Sequence, residues 1–369
     1  MHWISAQIKM KICILTQPLG TNYGGVLQAF ALQKALKDMG HDVATLRWLP
    51  LTPKNPVKTL RRFLARYVKG NKDVVYFNYE KQLHYTFREL DRFVDERLDC
   101  QVAHAPLGEG DISGFDAFVV GSDQVWRPMY SPYIPNFYLD FLGDAPVKRI
   151  AYAASFGVDV WETDEKTTEM IRPLAQKFDS ISVREESGVQ LCSEKLGVRA
   201  AVMPDPTLLL TAHDYLQLCG LEQTAEEPYI AAYILDKGER EQRVVERLSQ
   251  ELGLPVRYIG QLDWIHGVDS IESWLGGIAR ASFVITNSFH GTVFSLLFGK
   301  RFLSVKNSHR GATRFTSLLD SVGLQDRLLD ISVPDAPIPD MQDIDYQLIQ
   351  EKLGSLRQLG CSFLQDNLQ

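Results

Sequence analysis

Cysteine is scarce in this chain of 369 residues: there are five, Cys13, Cys100, Cys192, Cys219 and Cys361, and none stands in CxxC or CxxH spacing. An odd, scattered set argues against a disulfide framework and against a zinc site, and it fits a reducing cytoplasm. Long apolar runs are missing too. No stretch reaches the roughly 18 uninterrupted apolar residues that a spanning helix needs. Residues 1–9 lack the apolar centre of an export signal. A soluble, unexported protein is expected, with those nine residues a dispensable extension. Positive charge is not in excess, since 39 Lys and Arg against 46 Asp and Glu leave a net charge of −7. With no basic and aromatic RNA-binding signature either, nucleic acid is not an expected partner. No metal motif stands out, so no metal site and no cofactor are expected.

What is present is apolar and periodic. At 45% hydrophobic content the chain is long enough for two cores. Short apolar runs at Ile12–Thr16, Ala117–Val120, Ile150–Ala153, Ser180–Val183, Tyr229–Leu235, Val256–Ile259, Phe283–Thr286 and Phe302–Val305 predict buried strands. Helical spacing predicts helices over Gly25–Met39, Glu185–Leu196, Glu239–Leu252, Ile271–Ala279 and Thr292–Phe298. Alternating β and α implies an α/β fold of two Rossmann-like domains with parallel, helix-covered sheets. The prolines of Val202-Met203-Pro204-Asp205-Pro206-Thr207 interrupt ladders and helices alike and mark the boundary. The expected domains are 10–203 and 204–345, followed by a C-terminal helix over 346–369 that packs back on the first domain. Asp205 is read as structural, fixing the turn between domains.

One seam concentrates chemistry. The strand ending at Thr286 gives way to Asn287, Ser288, Phe289, His290, Gly291 and Thr292 before an apolar helix. Unpaired N–H groups and partial positive charge at a helix start favour an anion, and histidine titrates near working pH. Taken alone, a capping or packing histidine is the commoner case. A second unusual stretch carries Lys54, Lys58, Arg61, Arg62, Arg66, Lys69 and Lys72 with helically spaced apolar residues, inside a basic helical insertion over about 54–98. A solvated helix is the more frequent origin of such a face. A peripheral membrane contact through residues 54–72 is the alternative, and it matters only for a lipid-linked acceptor.

Five ordered runs then coincide: Gly20-Thr21-Asn22-Tyr23-Gly24-Gly25-Val26-Leu27-Gln28-Ala29, Phe118-Val119-Val120-Gly121-Ser122-Asp123-Gln124-Val125-Trp126, Ser182-Val183-Arg184-Glu185-Glu186-Ser187-Gly188, Asp205-Pro206-Thr207-Leu208-Leu209 and the His290 segment. Together they resemble the polysaccharide pyruvyl transferase family, over about residues 10–330. The resemblance implies a GT-B-like pair of domains facing across a cleft. It implies phosphoenolpyruvate as co-substrate and transfer of a pyruvate ketal to a sugar of a bacterial capsule, exopolysaccharide or lipid-linked precursor, with release of phosphate. It places the work in the cytoplasm, at the inner face of the membrane if the acceptor is lipid-linked.

By the same resemblance His290 is a general acid that protonates the vinyl methylene, and Arg184 is a donor-site cation, with Asn287, Ser288, Gly291 and Thr292 beside it. Asp123 is expected as base or acceptor ligand. Ser122, Gln124 and Trp126, with the Asn22, Tyr23, Gly24 and Gly25 loop, carry residue types that orient sugar hydroxyls or stack on a pyranose. One position departs from the family pattern: many members carry an arginine where this chain has Ser288. Lys306, Arg310 and Arg314 are the expected substitutes, with Arg280 a poorer one. That departure keeps two rivals in play, a GT-B-type glycosyltransferase using a nucleotide sugar and a non-catalytic glycan-binding assembly protein.

Overall fold

The computed structural model describes residues 9–49, 79–131, 133–220, 227–236, 238–306, 313–333, 337–339 and 344–369. Among them two parallel sheets form. The first takes β1 (Lys11–Leu15), β2 (Asp42–Leu49), β3 (Cys100–His104), β4 (Ala117–Val120), β5 (Lys148–Ala154), β6 (Ser180–Val183) and β7 (Ala201–Val202) in the order β3-β2-β1-β4-β5-β6-β7. The second takes β8 (Ile230–Tyr233), β9 (Val256–Tyr258), β10 (Phe283–Thr286), β11 (Arg301–Val305) and β12 (Leu328–Leu329) in the order β12-β11-β10-β8-β9. The central strands β4, β8 and β10 are buried at every residue, which a parallel sheet allows only when helices cover both faces.

The covering helices are α1 (Tyr23–Asp38), α2 (Tyr79–Thr86), α3 (Arg88–Arg97), α4 (Glu165–Ala175), α5 (Glu186–Leu191), α6 (Ala212–Leu218), α7 (Glu239–Leu252), α8 (Ile271–Ala279), α9 (Phe289–Leu297), α10 (Thr313–Val322) and α11 (Tyr346–Asn367). The protein is thus a pair of Rossmann-like α/β domains, one around each parallel sheet. Helix α1 of the first plugs into the second: Tyr23 stacks on Trp274 at 5.1 Å, and its hydroxyl donates to the carbonyl of Asp269 at 2.6 Å. Helix α11 touches both domains. Near its start Gln350 donates to the carbonyl of Leu296, and near its end Leu364 and Leu368 pack with Met10 and Ile12.

Several elements differ from the sequence expectation. Strand β2 carries Asp42, Thr45 and Arg47 among its apolar residues, and β3 is an edge with exposed Gln101, Val102 and His104, so neither reads as a buried run. Strands β7 and β12 are two-residue edges. Helix α4 holds Pro173 in its last turn, which obscures its periodicity. Helix α9 begins at Phe289 rather than Thr292, because the Ser288 hydroxyl caps it by accepting from Gly291 N–H at 3.4 Å. The basic residues from Lys54 to Lys72 lie outside the described residues. Among the described residues no helix is long and apolar enough to cross a membrane.

Candidate active site

Ligands in parallel sheets bind beyond the strand carboxyl ends, where the strand order reverses. That reversal falls between β1 and β4 in the first sheet and between β10 and β8 in the second. After β1, the Asn22 amide oxygen caps α1 by accepting from Gly24 N–H (2.9 Å) and Gly25 N–H (3.4 Å). After β4, Asp123 adopts a left-handed backbone at φ 63°, a region that aspartate tolerates better than most side chains. After β10, His290 occupies the first turn of α9. The two helix starts abut: a Cβ placed on Gly24 would lie 1.8 Å from His290 Nδ1.

Around His290 a buried charged cluster closes. Arg184, immediately after β6, places Nη1 2.5 Å from Asp205 Oδ2 and Nη2 3.4 Å from Asp123 Oδ1. Asp205 caps the 3-10 turn Pro206–Leu209, its Oδ1 accepting from Thr207 N–H (3.0 Å) and the Thr207 hydroxyl (2.6 Å). Its other oxygen faces both Arg184 and His290 Nε2, the latter at 3.6 Å, beyond hydrogen-bond length. From α10, Arg314 brings Nη1 to 3.8 Å from Asp123 Oδ1. The guanidiniums of Arg184 and Arg314 sit 4.9 and 5.5 Å from the Phe289 ring centroid. Glu185 turns aside, its Oε1 accepting from the Ser155 hydroxyl and the N–H groups of Phe156 and Gly157. Among the described residues, Arg184 Nε and His290 Nε2 are buried without a hydrogen-bond partner. Such orphans are costly unless a ligand completes them.

The polysaccharide pyruvyl transferase family model matches residues 22–309. The chain belongs to this family. It is therefore an enzyme, a transferase. No curated protein matches it. Among solved structures it is similar to Arabidopsis thaliana UGT89C1 in complex with UDP-L-rhamnose, at 10% identity over 97% of this chain and 94% of that one, TM-score 0.48. It is also similar to the UDP-GlcNAc 2-epimerase of Methanocaldococcus jannaschii, at 10% identity over 94% and 92%, TM-score 0.46. A third is a glycosyltransferase from Rickettsia africae, at 12% identity over 96% and 94%, TM-score 0.42.

Within this family member, the residues expected at the site separate into two groups. Arg184, Asp123, Arg314 and His290 converge, with Gly24 and Gly25 beside them; a Cβ on Gly25 would sit 3.6 Å from Asp123 Oδ2. Others serve the scaffold. Trp126 corrects the expectation of an aromatic platform: it is buried, stacked on Tyr138 at 5.1 Å and donating to the carbonyl of Phe137, so no face remains for a pyranose. Tyr23 is likewise consumed by Trp274 and Asp269. Thr292 is buried against Ser304 at 2.6 Å, Asn287 ties β10 to Leu235 N–H and the Asp236 carbonyl, and the Ser122 hydroxyl donates to the Ala153 carbonyl. The Gln124 side chain accepts from Arg127. Lys306 pairs with Asp330 at 2.7 Å, and Arg280 stands at the opposite end of β10 from His290. Arg310 lies outside the described residues. Ser288 is a helix cap, and among the described residues the guanidinium of Arg314 reaches the cluster from the second domain.

Two members of the cluster were not assigned a site role from sequence. Asp205 bridges both domains, and Glu185 orders the Ser155–Gly157 turn. The Asp-Pro-Thr run was the available signal for the first, since an aspartate before a proline-started turn reads equally well as a cap.

Electrostatics follow from burial opposed by neighbours. Burial works to raise the Asp123 carboxyl, but Arg184, His290 and Arg314 outweigh it and hold it below the ordinary range. Asp205 is lowered further, burial again opposing, by His290, Arg184 and Thr207. Arg314 is pulled down to about 10, first by burial and then by repulsion from Arg184. An anion seated between the two guanidiniums relieves that repulsion. The depressed carboxylates have a stability consequence. Folded-state values below the unfolded ones mean stability fully present above about pH 4 and lost as pH falls through the folded values. Urea unfolding is expected to give a lower midpoint at pH 3 than at pH 6, with a weaker pH dependence below pH 4 in Asp205→Asn than in wild type.

The contact between helix starts yields another expectation. In Gly24→Ala the new methyl occupies the space of the His290 ring, so the imidazole must leave its position. Turnover is expected to fall by at least about tenfold, the usual penalty of a small misplacement, while thermal unfolding shows the fold retained.

Proposed function

We propose that the protein transfers the enolpyruvyl carbons of phosphoenolpyruvate to two hydroxyls of one sugar, forming a pyruvate ketal and releasing phosphate. The orphaned Nε donor of Arg184, buried beside the Arg314 guanidinium, is the observation that supports this donor most directly. Phosphoenolpyruvate is a compact anion with two charged groups, and two desolvated guanidiniums with two helix starts match it. The Asp123 carboxylate stands between the guanidiniums at 3.4 and 3.8 Å, which marks the space between them as one that takes negative charge.

The chemistry proceeds in balanced steps. His290 gives a proton to the methylene carbon, C2 becomes electrophilic, and one sugar hydroxyl adds to it while its proton returns the imidazole to its starting state. The bond from C2 to the phosphate oxygen then breaks, the second hydroxyl closes the ketal, and its proton leaves with phosphate. Asp123, ionised and a weak base because its pKa is depressed, suits orienting the acceptor hydroxyl better than abstracting its proton. The acceptor is a sugar of a bacterial capsule, exopolysaccharide or other surface glycan, free or lipid-linked, with residues 54–72 meeting anionic headgroups if it is lipid-linked. The site lies on the cytoplasmic side of the membrane. Incubation with phosphoenolpyruvate and candidate glycans should release phosphate in proportion to pyruvylated product. Phosphate release that does not depend on any glycan, or none with a broad acceptor panel, would count against this function.

A further inference from the structure

We infer that Asp205 is a positioning residue that holds His290 ready to donate its proton and couples that readiness to the occupancy of Arg184. The inference rests on the reading of His290 as proton donor. Its basis is the division of labour between the two oxygens of one buried carboxylate. Oδ1 is spent on Thr207, accepting from both its N–H (3.0 Å) and its hydroxyl (2.6 Å), which fixes the plane of the carboxylate. Oδ2 is shared, 2.5 Å from Arg184 Nη1 and 3.6 Å from His290 Nε2. The side chain is fully buried, so neither interaction is shared with bulk water.

The backbone around Asp205 is held as firmly as its side chain. The Pro206–Leu209 turn is wedged against α1, α9 and α11, and the Tyr215 hydroxyl donates to the Thr207 carbonyl at 2.9 Å. Asp205 therefore stands where the two domains meet and reaches one ionisable residue from each. Arg184 comes from the first sheet and His290 from the second.

Of the two partners Arg184 has the nearer claim on Oδ2, and the imidazole stands at ion-pair distance. An anion seated at Arg184 draws that guanidinium toward itself, and Oδ2 is then released to His290 Nε2. Through Nε2 the carboxylate stabilises the imidazolium while the donor is present and receives no proton itself, the part an aspartate plays behind a catalytic histidine elsewhere, and the proton given to the methylene comes from the other ring nitrogen, Nδ1. The groups facing His290 come from every neighbouring element. Asp205 from the turn and Asp123 from the β4 end face the ring, Arg184 from the β6 end and Arg314 from α10 stand on those carboxylates, and α1 presents the backbone of Gly24. Helices α8 and α11 meet the C-terminal half of α9, through Trp274 and Gln350. Asp123 also faces the ring, but it moves aside for the donor, which leaves Asp205 as the fixed counter-charge.

The test is the pH profile of kcat in wild type, Asp205→Asn and Thr207→Val, read by phosphate release from phosphoenolpyruvate. A protonated general acid gives a profile that falls on the alkaline side. Asp205→Asn is expected to move that limb to lower pH by about one unit, the size of effect from removing an opposite charge at this range. Its plateau kcat is expected to fall by on the order of a hundredfold or more. Thr207→Val keeps the carboxylate and loses only the hydroxyl that orients it, so a smaller shift in the same direction is expected. An alkaline limb that stays in place in both variants overturns the inference. If Asp205→Asn does not fold, the Thr207→Val limb decides alone. Absence of phosphate release in wild type instead defeats the underlying reading, whereas wild-type turnover that is lost in His290→Ala, with unmoved limbs in the other two, defeats only the role of Asp205.

Discussion

His290→Ala is expected to lower kcat by about 10²–10⁴-fold, the range for loss of a positioned general acid, while the affinity for phosphoenolpyruvate stays within a few-fold of wild type. His290 projects from the first turn of α9 into the cluster, its Nδ1 side against the Gly24 backbone and its Nε2 toward Asp205. Removing it leaves Arg184 and Thr207 on Asp205, so no buried carboxylate is stranded. The fold is therefore expected to survive, and the loss belongs to the chemical step. Single-turnover measurement of phosphate release separates this from slow product departure. A kcat within threefold of wild type would remove His290 from the mechanism.

Arg184→Met is expected to strike both stability and donor binding. The arginine is buried with two carboxylates, and taking one partner from such a set costs about 3–5 kcal/mol because the remaining charges stay desolvated. Burial alone would lower its own pKa, but Asp205, Asp123 and Glu185 raise it instead, so it is a cation at every working pH. Asp123 would keep Arg314, and Asp205 would keep Thr207 and His290. The thermal midpoint should drop by several degrees, and KM for phosphoenolpyruvate should rise by more than about thirtyfold, equivalent to about 2 kcal/mol or more of lost contact. Arg184→Lys keeps the charge but not the fork that reaches two carboxylates at once, so it should recover stability better than KM. Equal KM values in wild type and Arg184→Met would show that the donor lies elsewhere.

The contrast between these residues and their neighbours shows what a linear sequence carries. The Rossmann-like alternation was legible because buried parallel strands such as Phe283–Thr286 are uninterrupted apolar runs, whereas β2 and β3 mix charge into their strands and escaped notice. The convergence of Asp123, Arg184 and His290 follows from residue type at strand ends, since a parallel sheet gathers those ends on one side. Side-chain direction is a different matter. Trp126 lies three residues from Asp123 and looks like a sugar platform, yet packing against Tyr138 turns it into the core. Asp205 presents the local pattern of a cap and is one, and nothing in its neighbours announces the second oxygen shared by Arg184 and His290. Ser288 follows the same logic. Among the described residues the guanidinium beside Arg184 is that of Arg314 from α10, which only the meeting of the two domains brings there.

The buried pair Arg184 and Arg314 is proposed to seat phosphoenolpyruvate beside His290. Calorimetric titration of the wild-type protein with phosphoenolpyruvate and, separately, with a nucleotide sugar tests it most directly. Saturable binding of phosphoenolpyruvate that disappears in Arg184→Met, with no heat from the nucleotide sugar, is the predicted result. Saturable binding of the nucleotide sugar with none of phosphoenolpyruvate would contradict it.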